Sequence, residues 1–307
     1  MAVTSPFAAL LAALPVSTDV VDVLGSDTHY WTYGPDDAAT TVVVVHGYRG
    51  EHHGLEPVIA QLRGIRIVSP DLPGFGESGP MTEAPHSIEG YGRWLAGFIG
   101  ALGLEHAVVL GHSFGSIVTS HAVAGGVVSP PSLILVNPIA APATSGPNAA
   151  MTRVTVAFYG VSKRLPERLG NWLLGHWLVV RIMSVTMVQT KDRALRRWIH
   201  DQHHTYFSRF SDRATVVEGF TASISTHVGE VGSRIAVPTL LIGAELDPIT
   251  PVADLHTLAD SMPDSTLHVI PGVGHLVHYE KSREAASFIV DFLGVGSLAE
   301  QSLPQDA

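Results

Sequence analysis

The stretch Ala107-Val108-Val109-Leu110-Gly111-His112-Ser113-Phe114-Gly115-Ser116-Ile117-Val118-Thr119-Ser120-His121-Ala122 decides how this chain is read. Its first four residues are apolar and rich in β-formers, which predicts a buried strand. From Ser116 onward the pattern is that of a helix. At the turn between them, Ser113 stands between two glycines. A serine so placed at a strand-to-helix turn has the pattern of a nucleophile elbow. The turn is tight, so the positions flanking the serine carry almost no side chain. The hydroxyl is then held at the carboxyl end of the sheet, and the new helix aims its free N–H groups and positive dipole end toward it. A G-x-S-x-G match alone is common by chance; the strand before it and the helix after it give it weight.

Outward from this turn, strands and helices alternate. Thr40 to Val45, Ile65 to Ser69, Ala107 to Leu110 and Ser132 to Val136 are short apolar runs suited to interior parallel strands. Helix patterns lie between them at Leu55–Leu62, His86–Leu102 and Ser116–Ala124. The alternation resumes with strands at Pro238 to Gly243 and Ser265 to Ile270 and helices at Val252–Ser261 and Ser282–Leu293. This rhythm predicts an α/β fold with a mostly parallel, doubly wound sheet covered on both faces. Ala140 to Arg234 breaks it with helical patterns only, at Arg153–Leu165, Asn171–Val188, Asp192–Phe210 and Arg213–His227. The expected organisation is a core of residues 1–139 and 235–295, a helical cap insertion at 140–234, and a flexible tail at 296–307.

The chain has 307 residues, of which 46% are hydrophobic, enough for the core of one large α/β domain or two smaller ones. No run reaches the roughly 18 uncharged apolar residues of a membrane span. The nearest, Asn171 to Gln189, is interrupted by His176 and Arg181. Met1 to Pro15 is apolar but lacks the positive flank of a secretory signal, so it reads as a leading helix, and the cytoplasm is the expected compartment. With no cysteine, disulfides, thiolate nucleophiles and thiolate metal sites are excluded.

A serine hydroxyl needs a base to attack at neutral pH, and the base needs an orienting acid. Ala244-Glu245-Leu246-Asp247-Pro248 follows one late strand, and Pro271-Gly272-Val273-Gly274-His275 follows the next. Both would sit at the same carboxyl edge as Ser113, where open α/β sheets place their sites. Asp247 has rivals in Glu245 and Asp254, and His275 in His278. Adjacent histidine pairs, His52-His53 and His203-His204, diverge by about 100° on a helix, so no metal site is expected from them. No G-x-G-x-x-G follows a strand and no P-loop occurs, so no nucleotide cofactor is expected either. No nucleic-acid partner is expected.

These residues together resemble the α/β-hydrolase fold superfamily, of the esterase and haloperoxidase-like type. Val45-His46-Gly47-Tyr48-Arg49-Gly50 resembles its HG-containing oxyanion loop. Asp71-Leu72-Pro73-Gly74-Phe75-Gly76-Glu77-Ser78 resembles its D-x-x-G-x-G-x-S turn. Gly274 to Glu280 resembles the segment around its histidine. The resemblance implies Ser113 as nucleophile, His275 as base and Asp247 as orienting acid, in the family's Ser, Asp, His order. It implies an oxyanion hole from the main-chain N–H groups of Tyr48 and Phe114, and a structural role for Asp71. His278 would brace its loop and His112 would pack beneath the site. The implied activity is cofactor-free hydrolysis of an apolar acyl ester. C–C bond hydrolysis, thioester hydrolysis and peracid formation use the same triad. Epoxide hydrolases and haloalkane dehalogenases carry aspartate at the elbow, so Ser113 argues against both. A non-catalytic binding protein on this fold is the reading from another class.

Net charge is -10, but residues 151–213 hold 11 of the 18 Lys and Arg and only four acids, Glu167, Asp192, Asp201 and Asp212. One reading is a solvated helical surface; the other is a functional cap. Its apolar run from Trp172 to Met183 could line an acyl pocket, and its basic groups could draw an anionic substrate or meet an anionic membrane.

Overall fold

The computed structural model of the protein describes residues 3–143 and 149–300. Strands β1 (Val16–Val23), β2 (Ser26–Tyr33), β3 (Thr41–Val45), β5 (Arg66–Pro70), β6 (Val108–His112), β7 (Leu133–Val136), β8 (Thr239–Ala244) and β9 (Ser265–Ile270) form one sheet in the order β1-β2-β5-β3-β6-β7-β8-β9. From β5 to β9 all neighbours are parallel. Alternate residues of each strand enter opposite cores. Val43, Val45, Val109 and Leu135 pack with α3 (Ile88–Ala101) and α4 (Phe114–Ala124). Val42, Val44, Leu110 and Val136 pack on the face of α2 (Glu56–Ile59) and α12 (Ser282–Leu293). Burial on both faces is why these strands read as unbroken apolar runs instead of alternating ones.

The sheet begins with a hairpin for which the sequence reading has no counterpart. Val23 pairs with Ser26 across Leu24 and Gly25, both at positive φ (56° and 70°), the backbone of a two-residue type I′ turn. The strand β1 is exposed along most of its length, so it lacks the apolar run that marks the interior strands. The expected leading helix is shorter than Met1 to Pro15: α1 spans Ala8–Ala12 before β1 takes over, and Met1 and Ala2 lie outside the described residues. The helix pattern at Leu55–Leu62 also ends early, at Ile59. Leu62–Arg63 (β4) instead pairs antiparallel with Ser297–Leu298 (β10). The expected loose tail therefore starts with a paired segment, and Ala299 behind it is buried and donates to the Gln61 carbonyl. Residues 301–307 lie outside the described residues.

Between β7 and β8 stand α5 (Ala149–Arg164), α6 (Glu167–Leu174), α7 (Trp177–Met187), α8 (Arg193–Tyr206) and α9 (Arg213–Ser225). The single helix expected at Asn171–Val188 is two helices. Gly175 ends α6, and the His176 ring accepts from the Leu178 N–H to start α7. Asp192 and Asp212 cap α8 and α9 through their first-turn N–H groups. These helices lie over the carboxyl edge of the sheet. Tyr48 Oη donates to the Val216 carbonyl (2.7 Å), and the Glu280 carboxylate accepts from the N–H groups of Gln189 and Thr190. The remaining helices, α10 (Val252–Ser261) and α11 (Val277–Glu280), follow β8 and β9. Among the described residues, no helix is long and apolar enough to cross a membrane.

Candidate active site

Ser113 links β6 to α4 at φ 52° and ψ −116°, a backbone region that non-glycine residues rarely occupy. The surroundings enforce it. Ser113 N–H donates to the Val136 carbonyl, and the Ser113 carbonyl accepts from both the N–H and the hydroxyl of Ser116. The flanking glycines are required by close approach, not by dihedral angle. A Cβ on Gly115 would fall 2.1 Å from the Val45 carbonyl oxygen, and one on Gly111 would fall 2.5 Å from that of Gly115. The helix thus starts directly against β3, which brings the serine beside the loop that follows it.

Three side chains from three strand ends meet here. Ser113 Oγ lies 2.8 Å from His275 Nε2, and His275 Nδ1 lies 2.8 Å from Asp247 Oδ2. The buried Asp247 carboxylate is fully engaged: Oδ2 also accepts from Asn137 Nδ2 (3.0 Å), and Oδ1 accepts from the N–H groups of Ile249 and Thr250. Burial alone would raise its pKa. The facing His275 ring and these hydrogen bonds outweigh burial and hold the carboxyl below its ordinary value. Glu245 is drawn off to the Gly272 N–H, and Asp254 belongs to the first turn of α10.

The loop after β3 completes the edge. His46 Nδ1 donates to the Gly47 carbonyl (2.8 Å) and Nε2 accepts from the Leu72 N–H (2.8 Å), which sets the tautomer. The Gly50 N–H holds the same carbonyl. In a trans peptide the C=O and the following N–H point oppositely, so the Tyr48 N–H faces away from these donors. Phe114 is the first residue of α4, where N–H groups have no acceptor within the helix. A cavity of about 240 Å³ opens over Ser113. Tyr48, Phe114 and Leu276 line it from the sheet side, and Met183, Met187 and Phe207 from the helices above. Among the described residues no Lys or Arg lines it, whereas the buried Glu51 does.

A group of neutral histidines backs the triad. Burial, with His275 and His46 nearby, holds His112 down to about 3. Burial beside His112 and His275 keeps His278 well below the usual imidazole range, and the two rings meet edge to face at 4.2 Å. Burial, with His200 and His204 nearby, holds His203 down to about 3. Below the ordinary value of 6.5 the unfolded chain takes up protons that these folded-state rings refuse. Their stabilisation is therefore complete above that pH and is lost as pH falls. His112 and His203 together should lower stability by up to about 3 kcal/mol per pH unit between about pH 6 and 4, and His278 acts in the same sense. His53, raised by Glu51 against the opposing effect of burial, acts in the other sense. Urea midpoints that stay constant from pH 7 to 5 would remove this account.

The divergence expected of adjacent histidines does not hold at His52 and His53. Glu51 is extended and His52–Gly54 form a tight 3-10 turn, so one ligand atom from each of Glu51, His52 and His53 falls within 4.8 Å of the others. These groups are already engaged: His52 Nδ1 with Asp71 Oδ1 (2.9 Å) and His53 Nδ1 with Glu51 Oε1 (2.5 Å). Asp71 also accepts from the Glu77 N–H, so it organises the turn and lies apart from His275. His200 and His204 are four residues apart on α8, a spacing the sequence reading passed over.

Two site residues escaped the sequence reading. Asn137, at φ 47°, follows β7 and steadies Asp247; its place after a strand end was the available signal. Arg49, also buried, donates from Nε to the Phe207 carbonyl and from Nη2 to the Leu174 carbonyl, both 2.9 Å. It ties the loop after β3 to the carboxyl ends of α8 and α6. No local pattern announces such a contact.

A family model described as "Alpha/beta hydrolase family" matches residues 42–288. A 2-hydroxy-6-oxononadienedioate/2-hydroxy-6-oxononatrienedioate hydrolase of Cupriavidus pinatubonensis is 25% identical over 291 residues, covering 89% of this chain and 94% of that protein. A thermophilic esterase from Thermogutta terrifontis superposes with a TM-score of 0.70 at 21% identity, over 91% of this chain and 98% of the other. The enol-lactonase from Burkholderia xenovorans gives 0.73 at 16% identity, over 90% and 100%. At these identities the two structures share the fold.

Proposed function

This chain belongs to the alpha/beta hydrolase family, and from that premise we propose that it is a cofactor-free serine hydrolase of small to medium apolar carboxylic esters. The observation that carries the reading is the hydrogen-bonded line Ser113–His275–Asp247 at the base of a mainly apolar cavity. Ser113 Oγ attacks the ester carbonyl and gives its proton to His275 Nε2. Asp247 stabilises the imidazolium, and the N–H groups of Tyr48 and Phe114 receive the oxyanion. The alcohol leaves with the proton from His275. Water, deprotonated by the same ring, then attacks the acyl-enzyme and releases the acid.

C–C bond hydrolysis is the second reading, favoured by the relative from Cupriavidus. The name of that protein's substrate denotes a dicarboxylate. The cavity here presents no lysine or arginine to a second carboxylate and carries Glu51 instead, which favours a neutral ester. A fluorophosphonate probe should label the wild type and not Ser113→Ala. p-Nitrophenyl butyrate should give a burst of nitrophenol and turn over faster than the palmitate. Equal labelling of both proteins removes Ser113 as nucleophile, and faster turnover of a dienedioate than of any ester establishes the second reading.

A further inference from the structure

The helices over the cavity carry an unusual outer face. Nine of the fifteen large hydrophobic residues that are exposed among the described residues lie between Val154 and Val185. Trp172 and Trp177, where α6 meets α7, are 61% and 63% exposed. On α7 the exposed Leu178, Ile182 and Val185 are spaced as one helical stripe. The helix spends its other sides on the interior: Val180 and Ser184 are buried, and Met183 and Met187 line the cavity. The outward stripe is therefore surplus to packing.

Basic groups border it. Arg181 and Val185 of α7 form a cleft with Arg193, Arg196, Arg197 and His200 of α8. Among the described residues, none of these four arginines is in an ion pair. Asp192, next to Arg193 in sequence, accepts from the Ala194 and Leu195 N–H groups instead, and neither Asp201 nor Glu280, the other nearby acids, forms an ion pair with these arginines among the described residues. The surrounding segment 151–213 is +7 by formal charge and the rest of the chain −17. Tryptophan at an interface, an apolar stripe and unpaired arginines beside it are the three features that hold a surface helix on anionic headgroups. The opposite charge of the remainder orients the molecule with this face toward such a surface. A second copy meeting it face to face would bring two arginine clusters into one interface.

We propose that the outer face of α6, α7 and α8 docks the protein on an anionic lipid bilayer, with Trp172, Trp177 and Ile182 entering the interface and Arg181, Arg193, Arg196 and Arg197 on the headgroups. The claim does not depend on which bond Ser113 cleaves, and binding is measured without substrate. The wild type should co-sediment with phosphatidylcholine vesicles containing phosphatidylglycerol, not with phosphatidylcholine alone, and should be released by high salt. Tryptophan emission should shift to the blue on binding, since Trp94 and Trp198 are already buried. The triple variant Arg193→Glu, Arg196→Glu, Arg197→Glu should bind at least about a hundredfold more weakly. The pair Trp172→Ala, Trp177→Ala should lose the emission shift. Neither set lines the cavity, so circular dichroism and ester turnover in solution check that each is folded. The proposal is overturned if the wild type does not bind anionic vesicles at low salt, or if folded variants bind as it does. It is equally overturned if light scattering shows a dimer that only the tryptophan variant loses.

Discussion

Asp247→Asn is expected to lower kcat for an ester about ten-thousandfold while KM stays close to that of the wild type. The size follows from the saturation of this carboxylate. Each oxygen of Asp247 accepts from two donors, His275 Nδ1 and Asn137 Nδ2 on one side, the Ile249 and Thr250 N–H groups on the other. An asparagine amide has one oxygen, so one side must face an NH₂. If that is the His275 side, the ring must accept at Nδ1 and carry its proton on Nε2, where it cannot take the proton of Ser113. If it is the other side, the backbone donors of Ile249 and Thr250 lose their acceptor, at a cost of about 1–3 kcal/mol for the buried Thr250 N–H. The first arrangement abolishes the base; the second appears as lost stability. Steady-state kinetics and a urea melt on the same preparation separate them. A loss below about tenfold in kcat, with stability unchanged, would remove Asp247 from the mechanism.

Gly115→Ala should be among the most damaging single-methyl changes at the described residues, destabilising by at least about 3 kcal/mol. The added carbon meets two backbone carbonyl oxygens, Val45 at 2.1 Å, at the end of β3 where it is paired with Gly111 in the middle of the sheet, and His46 at 2.8 Å, the first residue of the loop that follows. Neither can move without shifting the loop that carries Tyr48. Gly100→Ala provides the contrast. That site is in α3 with nothing within 4 Å of the new atom, so helix propensity alone acts and stability should rise by up to about 1 kcal/mol. Comparable losses at both positions would mean that close packing at the elbow is not what Gly115 provides.

The core strands were legible because burial on both faces leaves a local imprint. Val42 to Val45 and Leu133 to Val136 are apolar without interruption, and each sits within one residue of its expected bounds. The starts of α8 and α9 fall within one residue of their expected bounds, where Asp192 and Asp212 cap them through N–H groups two or three residues away. What stayed hidden left no such local imprint. The strand β1 is an exposed edge with no apolar run. The paired start of the tail exists only because Leu62–Arg63 lies beside Ser297–Leu298. The Glu51, His52, His53 and Asp71 network required the conformation of a tight turn, which helical spacing misjudged.

The sequence by itself determined the class of fold, the turn bearing Ser113 and the places after two strands where a base and an acid could stand, since strand periodicity and tight turns are local properties of residue type. It left Asp247 beside Glu245 and His275 beside His278, and it left the basic segment between two uses. The tertiary structure alone brought Ser113, His275 and Asp247, separated by up to 162 residues, to 2.8 Å contacts. It also decided which sides of α7 face the cavity and which face solvent. These are questions of distance and direction between remote segments, and only the packing of helices on the sheet answers them.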